Sequence, residues 1–243
     1  MRHTTILFAF AILTGCSSET DTTTPPPAVP EATAHEPAAA QNTAARDAWQ
    51  KPQEVFNLMG NDFHGQTIAD LAAKDGYFTF KMIESGANVI AIDDDPVNIA
   101  ALEARKKELG LSDERLKIRL AKVGDAGITR DEVDAAFLAH GLVRIPNKKD
   151  YLTKVFEGTR VPRPLYIVEW LNGQTPLGPP MTDRMSSEAI MDEVGLAGYT
   201  DVGAYSAKIP YQVFLFASYQ IGDPEAMPEG MSPGGQVMQV PTD

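Results

Sequence analysis

Short apolar runs that alternate with helix-patterned segments constrain this chain more than any other feature. Thr67 to Leu71 is one such run, and it ends in a turn. Tyr77 to Ser85 reads as a helix stopped by Gly86, and Asn88 to Ile92 as a buried strand. Asp95-Pro96 opens the next helix with an Asp cap and Pro at the first helical position. Val97, Ala100, Ala101, Ala104 and Glu108 fall on one stripe of it, and Gly110 with Leu111 closes it. Leu116 to Ala121, Asp134 to Ala139 and Leu165 to Trp170 read as three further strands. Ser186 opens a helix that runs to about Leu196. Val202 to Ala207 and Tyr211 to Ala217 are strands joined only by Lys208-Ile209-Pro210. Strands alternating with helices predict an α/β fold, a Rossmann-like, doubly wound and mostly parallel sheet. The last two strands are too close for a helical crossover, so they form a C-terminal antiparallel hairpin.

The two ends of the chain read differently from this core. Residues 16–45 are rich in Thr, Pro and Ala, with Pro25-Pro26-Pro27 among them, and predict a disordered tether. Residues 220–243 are rich in Pro, Gly and Met and predict a disordered tail. The folded domain is expected over 46–219. Residues 1–15 carry a basic start at Arg2 and an apolar run from Ile6 to Leu13, the pattern of a secretory signal peptide. The chain's single cysteine is Cys16. One cysteine makes neither an intramolecular disulfide nor a Cys-based zinc site. No apolar run reaches the length of a spanning helix. The formal net charge of -12 argues against a nucleic-acid partner, which needs a basic surface.

Leu13-Thr14-Gly15-Cys16 resembles the lipobox of bacterial lipoproteins. The resemblance implies cleavage before Cys16 and acylation of that residue, with the membrane as a partner through the lipidated cysteine. Buried acyl chains contribute about 0.8 kcal/mol per CH2, so two or more hold stably. Ser17, where inner-membrane retention prefers Asp, implies an outer-membrane anchor facing the periplasm.

Within the core, Asp70-Leu71-Ala72-Ala73-Lys74-Asp75-Gly76-Tyr77-Phe78-Thr79 and Val89-Ile90-Ala91-Ile92-Asp93-Asp94-Asp95-Pro96 stand in a telling order. With the terminal strand hairpin they resemble the class I S-adenosylmethionine-dependent methyltransferases. The resemblance covers about Arg46 to Ala217. Arg46 to Pro52 and Gly178-Pro179-Pro180 with Arg184 look like segments of one subgroup of that family. It implies S-adenosylmethionine as cofactor, held by Asp70, Ala72, Lys74 and Gly76 around the first turn and by Asp93 and Asp125 after the second and third strands. Asp93 would accept the ribose hydroxyls, Asp70 would lie near the methionine amino group, and Asp125 near the adenine. Asp94 reads as solvated and Asp95 as a helix cap. The Asp triplet is a poor metal site, because adjacent residues rarely converge on one ion, and no metal is expected.

This sequence departs from the family's Gly-x-Gly-x-Gly turn. The first Gly position is Ala72, which is compatible with a negative φ, and the second is Lys74. A side chain there stands where the cofactor needs open backbone, and at positive φ it also brings about 1 kcal/mol of strain. Lys74 is free to point outward or to meet the cofactor's carboxylate. His140, after the fourth strand, is the candidate general base. His64 reads as a loop residue, Phe78 as core, and Trp49 as packing or a pocket cover.

Two functions follow. One is a lipid-anchored methyltransferase acting on a small-molecule or envelope acceptor. The other is a methyltransferase-fold lipoprotein that has lost cofactor binding and serves as a binding or scaffold module.

Overall fold

The computed structural model describes residues 43–220. The signal segment, Cys16 and nearly all of the tether and tail lie outside them. Seven strands form one sheet: β1 (Thr67–Leu71), β2 (Asn88–Asp93), β3 (Leu116–Leu120), β4 (Ala135–Ala139), β5 (Leu165–Trp170), β6 (Asp201–Tyr205) and β7 (Gln212–Ser218). Their order is β3-β2-β1-β4-β5-β7-β6. The first five run parallel, and β7 lies antiparallel between β5 and β6. The expected fold class is therefore present, including the closing hairpin.

Among the described residues six α-helices accompany the sheet: α1 (Thr43–Gln50), α2 (Pro52–Leu58), α3 (Tyr77–Glu84), α4 (Pro96–Glu108), α5 (Lys148–Gly158) and α6 (Ser187–Leu196). α1 begins ahead of the expected domain boundary at 46. The sheet is covered on both faces, which explains why its central strands are continuous apolar runs. One face carries Ala69, Leu71 and Leu138 against Tyr151, Leu152 and Val155 of α5 and Ile190 of α6. The other carries Ile68, Val89 and Phe137 against Phe56 of α2, Phe78 and Met82 of α3 and Leu102 of α4. Phe78, expected in the core, meets the Phe137 ring edge-on at 4.9 Å.

The apolar stripe assigned to α4 is corrected. Val97 is 72% exposed, and Ala100, Ala101, Ala104 and Glu108 also face solvent. The helix instead seats Leu102, with Asn98, Ile99 and Lys106 half-buried beside it. Its ends are as expected. Asp95 accepts the Val97 N–H at 2.8 Å, and the Leu111 N–H returns to the Lys106 carbonyl at 3.1 Å past left-handed Gly110.

This topology fixes where a ligand can sit. The chain leaves β1 toward β2 on one side, and β4 pairs with β1 on the other. That reversal opens a crevice at the carboxyl ends of the strands, the place where open α/β sheets bind ligands.

Candidate functional site

The turn after β1 carries the crevice's unusual geometry. Ala72, Lys74 and Gly76 all have positive φ, at 59, 54 and 79°. The negative φ with which Ala72 would have been compatible is not found. The backbone keeps a conformation suited to glycine at three alternate positions, with glycine at only one. For each L residue the left-handed state costs about 1–2 kcal/mol. Three hydrogen bonds hold it: Ala73 N–H to the Ile92 carbonyl at 2.9 Å, Lys74 N–H to Asp93 Oδ2 at 2.7 Å, and Gly76 N–H to the Ala73 carbonyl at 2.9 Å.

The Lys74 side chain turns inward across the crevice. Its Nζ donates to the main-chain carbonyls of Ala139 at 3.1 Å and His140 at 2.9 Å, at the end of β4. The outward orientation is not found; the side chain bridges β1 and β4. Burial, reinforced by nearby Arg144, lowers its pKa to about 8. Glu169 on β5 is the opposing charge that faces it, but its Oε1 accepts the Leu142 N–H at 2.9 Å. Burial raises the pKa of Glu169.

Ala72 and Lys74 line two spaces, so the Lys74 chain stands in the wall between them. The larger is a cavity of about 320 Å³ beside β2, β3 and α5, lined by Asp93, Asp94, Asp125, Arg144 and Tyr151 among others. The smaller, about 20 Å³, lies toward α1 and is bounded by Arg46, Gln50, Asp70, Tyr77 and His140. Helix α1 covers that second space. Tyr77 Oη donates to Asp47 at 2.5 Å, Arg46 pairs with Asp75, and the Arg46 guanidinium lies 4.0 Å from the Tyr77 ring centre.

The structure brings the sequence-selected residues together, in altered roles. Asp93, 5% exposed, ends β2 at the cavity. Its Oδ1 already accepts the Asp95 N–H and Asn98 Nδ2, each at 2.9 Å, while its Oδ2 accepts Lys74 N–H. Asp70 borders the smaller space, accepts the Thr79 hydroxyl at 2.5 Å, and is raised to about 7 by burial. Asp125 borders the cavity but turns its carboxylate to the Gly127 N–H at 3.1 Å and to Lys154 at 3.3 Å. The Gly127 N–H bond is the main reason its pKa is lowered. Asp94 is exposed as expected, and among the described residues no cluster of acids or histidines has the makings of a metal site.

His140 is a poor general base in this setting. Gln212 spends its amide hydrogens on the carbonyls of Trp49 at 2.9 Å and Pro210 at 3.1 Å. Its Oε1 therefore accepts from His140 Nε2 at 2.8 Å, which places the imidazole proton on Nε2. Burial, together with Lys74 and other cations, lowers the His140 pKa to about 3. A group this weakly basic draws a proton poorly near neutral pH. The ring instead stacks on Trp170 at 4.8 Å, and Trp170 stacks on Trp49 at 5.2 Å. Trp49 thus joins an aromatic pile between α1 and β5. His64 lies in an exposed loop.

Several site residues escaped the sequence reading. Tyr151 sits on α5, a helix it omitted although Tyr151, Leu152 and Val155 have helical spacing behind the Asn147 cap. Arg144, Glu169 and Gln212 carry no local signal, because only the sheet's pairing brings them to the crevice.

Neither a family model nor a curated protein matches this sequence. Solved structures do match its fold. A SAM-dependent methyltransferase from Aquifex aeolicus superposes with a TM-score of 0.65 at 17% identity, over 72% of this chain and 93% of the other. The phosphoethanolamine N-methyltransferase 2 of Haemonchus contortus, solved with S-adenosyl-L-methionine, gives 0.60 at 11% identity, over 70% and 52%. The fold is that of the class I methyltransferases. The [4+2]-cyclase SpnF also matches, with a TM-score of 0.58 at 13% identity, over 70% of this chain and 82% of the other. Fold alone therefore does not fix the reaction.

The residues do not fit S-adenosylmethionine along its whole length. The resemblance sets the methionine limb against the first turn, where the Lys74 chain now bridges to β4. The cofactor's sulfonium is a cation, and so is the Lys74 ammonium. Like charges brought together away from water repel. The adenosine end still has a cavity beside Asp93.

Proposed function

We propose that this chain is a lipid-anchored, methyltransferase-like binding protein that takes a small molecule into the cavity beside β2 and transfers no methyl group. The observation that carries this reading is the Lys74 bridge, which fills the methionine limb's place with a cation. The lipobox-like segment ending at Cys16 supports export and acylation, with the folded domain tethered at the outer membrane facing the periplasm. That location separates it from the cytosol, where S-adenosylmethionine is made. The charged cofactor should not cross a bilayer unaided. The catalytic reading, methyl transfer to a small-molecule or envelope acceptor, is favoured by the retained carboxylates Asp70 and Asp93 at the strand ends.

Calorimetric titration of S-adenosylmethionine into the full chain separates the two. The binding-protein reading expects no heat at millimolar ligand for the wild type. It expects binding to appear in Lys74→Gly, which opens the limb and keeps the N–H that Asp93 accepts. Micromolar affinity in the wild type would return the protein to the enzymes.

A further inference from the structure

Lys74 and Arg144 meet at one atom. The His140 carbonyl accepts Lys74 Nζ at 2.9 Å and Arg144 Nη2 at 3.4 Å, so amine and guanidinium stand side by side at the end of β4. Neither has a carboxylate within 4.0 Å among the described residues. The acids around them are committed elsewhere. Asp93 accepts N–H groups of Lys74, Asp95 and Asn98, and Asp75 pairs with Arg46. Glu169 accepts the Leu142 N–H and so fixes the short 3-10 turn Leu142–Arg144 that presents the guanidinium.

The partners of Nζ suit an amine better than an ammonium. An amine has two hydrogens, and the carbonyls of Ala139 and His140 accept both. Its lone pair is then uncommitted. An ammonium carries a third hydrogen, which has no acceptor among the described residues. Burial and Arg144 lower the pKa to about 8, so free amine is available near neutral pH as it is not on a surface lysine. Lys74 is half-buried rather than sealed, and it borders both spaces of the crevice.

At about 320 Å³ the larger space is at the small end for ligand sites. It is not basic overall, since Asp94, Asp95 and Asp125 also line it. What draws an anion is local, the guanidinium beside Nζ. Tyr151, on the same cavity, is 5% exposed, and its hydroxyl makes no hydrogen bond among the described residues. Burial and the nearby acids raise its pKa, so it stays a donor in want of an acceptor.

We infer that Lys74 is the amine of a covalent site for a small α-oxo acid, whose carboxylate pairs with Arg144 while Nζ attacks the adjoining carbonyl carbon. A carboxylate next to a carbonyl matches a guanidinium next to an amine, and Arg holds carboxylates in bidentate fashion. The nitrogen bonds to carbon, the carbonyl oxygen leaves as water with both amine hydrogens, and a C=N bond remains. The step uses no oxidant, reductant or cofactor. A proton from solvent then restores one N–H for the Ala139 carbonyl, while Arg144 keeps the His140 carbonyl. This inference rests on the binding-protein reading, which leaves Lys74 free of S-adenosylmethionine.

The test is reductive trapping on the full chain in detergent, with pyruvate and cyanoborohydride near pH 8, read by peptide mass mapping. Reduction of the imine leaves a stable carboxyethyl-lysine. Lys74 is expected to be labelled at least ten-fold faster than the exposed Lys107 of the same molecule. With acetaldehyde, which has no carboxylate, the Lys74-to-Lys107 ratio should be at least five-fold lower. Arg144→Gln, at an exposed position where the fold is kept, should bring the pyruvate ratio down to the acetaldehyde ratio. Labelling of Lys74 no faster than of Lys107, or a pyruvate ratio unchanged in Arg144→Gln, would overturn the inference and leave the binding-protein reading standing. Protection of Lys74 by micromolar S-adenosylmethionine would overturn both.

Discussion

Buried Asp70 and half-buried His140 border one small space and pull stability in opposite directions as pH changes. The Asp70 carboxyl titrates near 3.8 when exposed and near 7 here, so between those values the folded state holds the extra proton. Its contribution is greatest below pH 4 and falls as pH rises to 7, by about 4 kcal/mol in all. His140 is lowered from 6.5 to about 3. The unfolded chain binds that proton first, so the histidine's contribution rises with pH over this window and is complete above 6.5. A variant isolates the aspartate. Asp70→Asn keeps an acceptor for Thr79 and cannot ionise. Its melting temperature should match wild type at pH 4 and exceed it increasingly toward pH 8, by up to about 10 °C. A constant difference from pH 4 to 8 would mean that burial does not shift Asp70. At this scale the sequence discloses identities better than conformations. Asp70 and Asp93 stand where the family pattern set them, and Asp95 caps as its neighbours implied. The left-handed φ of Ala72 and the inward course of Lys74 were not legible. Both depend on acceptors supplied by β2 and β4, which lie 19 or more positions away in the chain.

Among the elements, the loop from Leu171 to Arg184 has the most specific construction. Arg184 donates to the carbonyls of Pro179, Leu171 and Gly173 and to the Thr175 hydroxyl, at 2.8–2.9 Å, and so closes the loop on itself. Gly178, at φ +105°, lies flat on Trp170, and a Cβ there would come within 2.6 Å of the indole. The loop thus holds one face of the aromatic pile that α1 covers from the other side. Gly178→Ala should displace the loop, loosen the Trp49–Trp170 stack and red-shift tryptophan emission, with a stability loss of about 1–3 kcal/mol in urea unfolding. An unchanged spectrum and midpoint would show that the loop does not bear on the pile. The strands were legible because each is an apolar run bounded by turn residues, and six of the seven observed boundaries fall within one residue of the reading at both ends. β6 ends two residues early, at Tyr205 rather than Ala207, because its pairing with β7 stops there. Helices were harder. α4 is mostly solvent-facing, so its small residues formed a stripe that no surface meets. α1 and α2 lie where a Thr/Pro/Ala-rich stretch gives way to the domain. α1 is fixed by Tyr77, Lys81 and Asp75 rather than by its own apolar pattern.

For the whole molecule, the proposed anchoring of the domain and the chemistry of its crevice point the same way. A transferase held outside the cytosol would depend on a cofactor made inside it, whereas a chain whose own lysine takes the methionine limb's place has no such need. That separation from the cytosol requires the proposed anchor at Cys16, the chain's only thiol. With two or more acyl chains the mature protein would bind membranes without a spanning helix, and no helix among the described residues is long and apolar enough to cross one. Wild type expressed in a bacterium should enter the detergent phase on Triton X-114 partitioning, with a mass that matches cleavage before Cys16 plus the acyl groups. Cys16→Ser should move to the aqueous phase with its fold intact, because residue 16 lies well before α1. If Cys16→Ser stays equally membrane-bound, the anchor is elsewhere and the separation from the cofactor loses its basis. The proposal that S-adenosylmethionine is not bound would then rest on Lys74 alone.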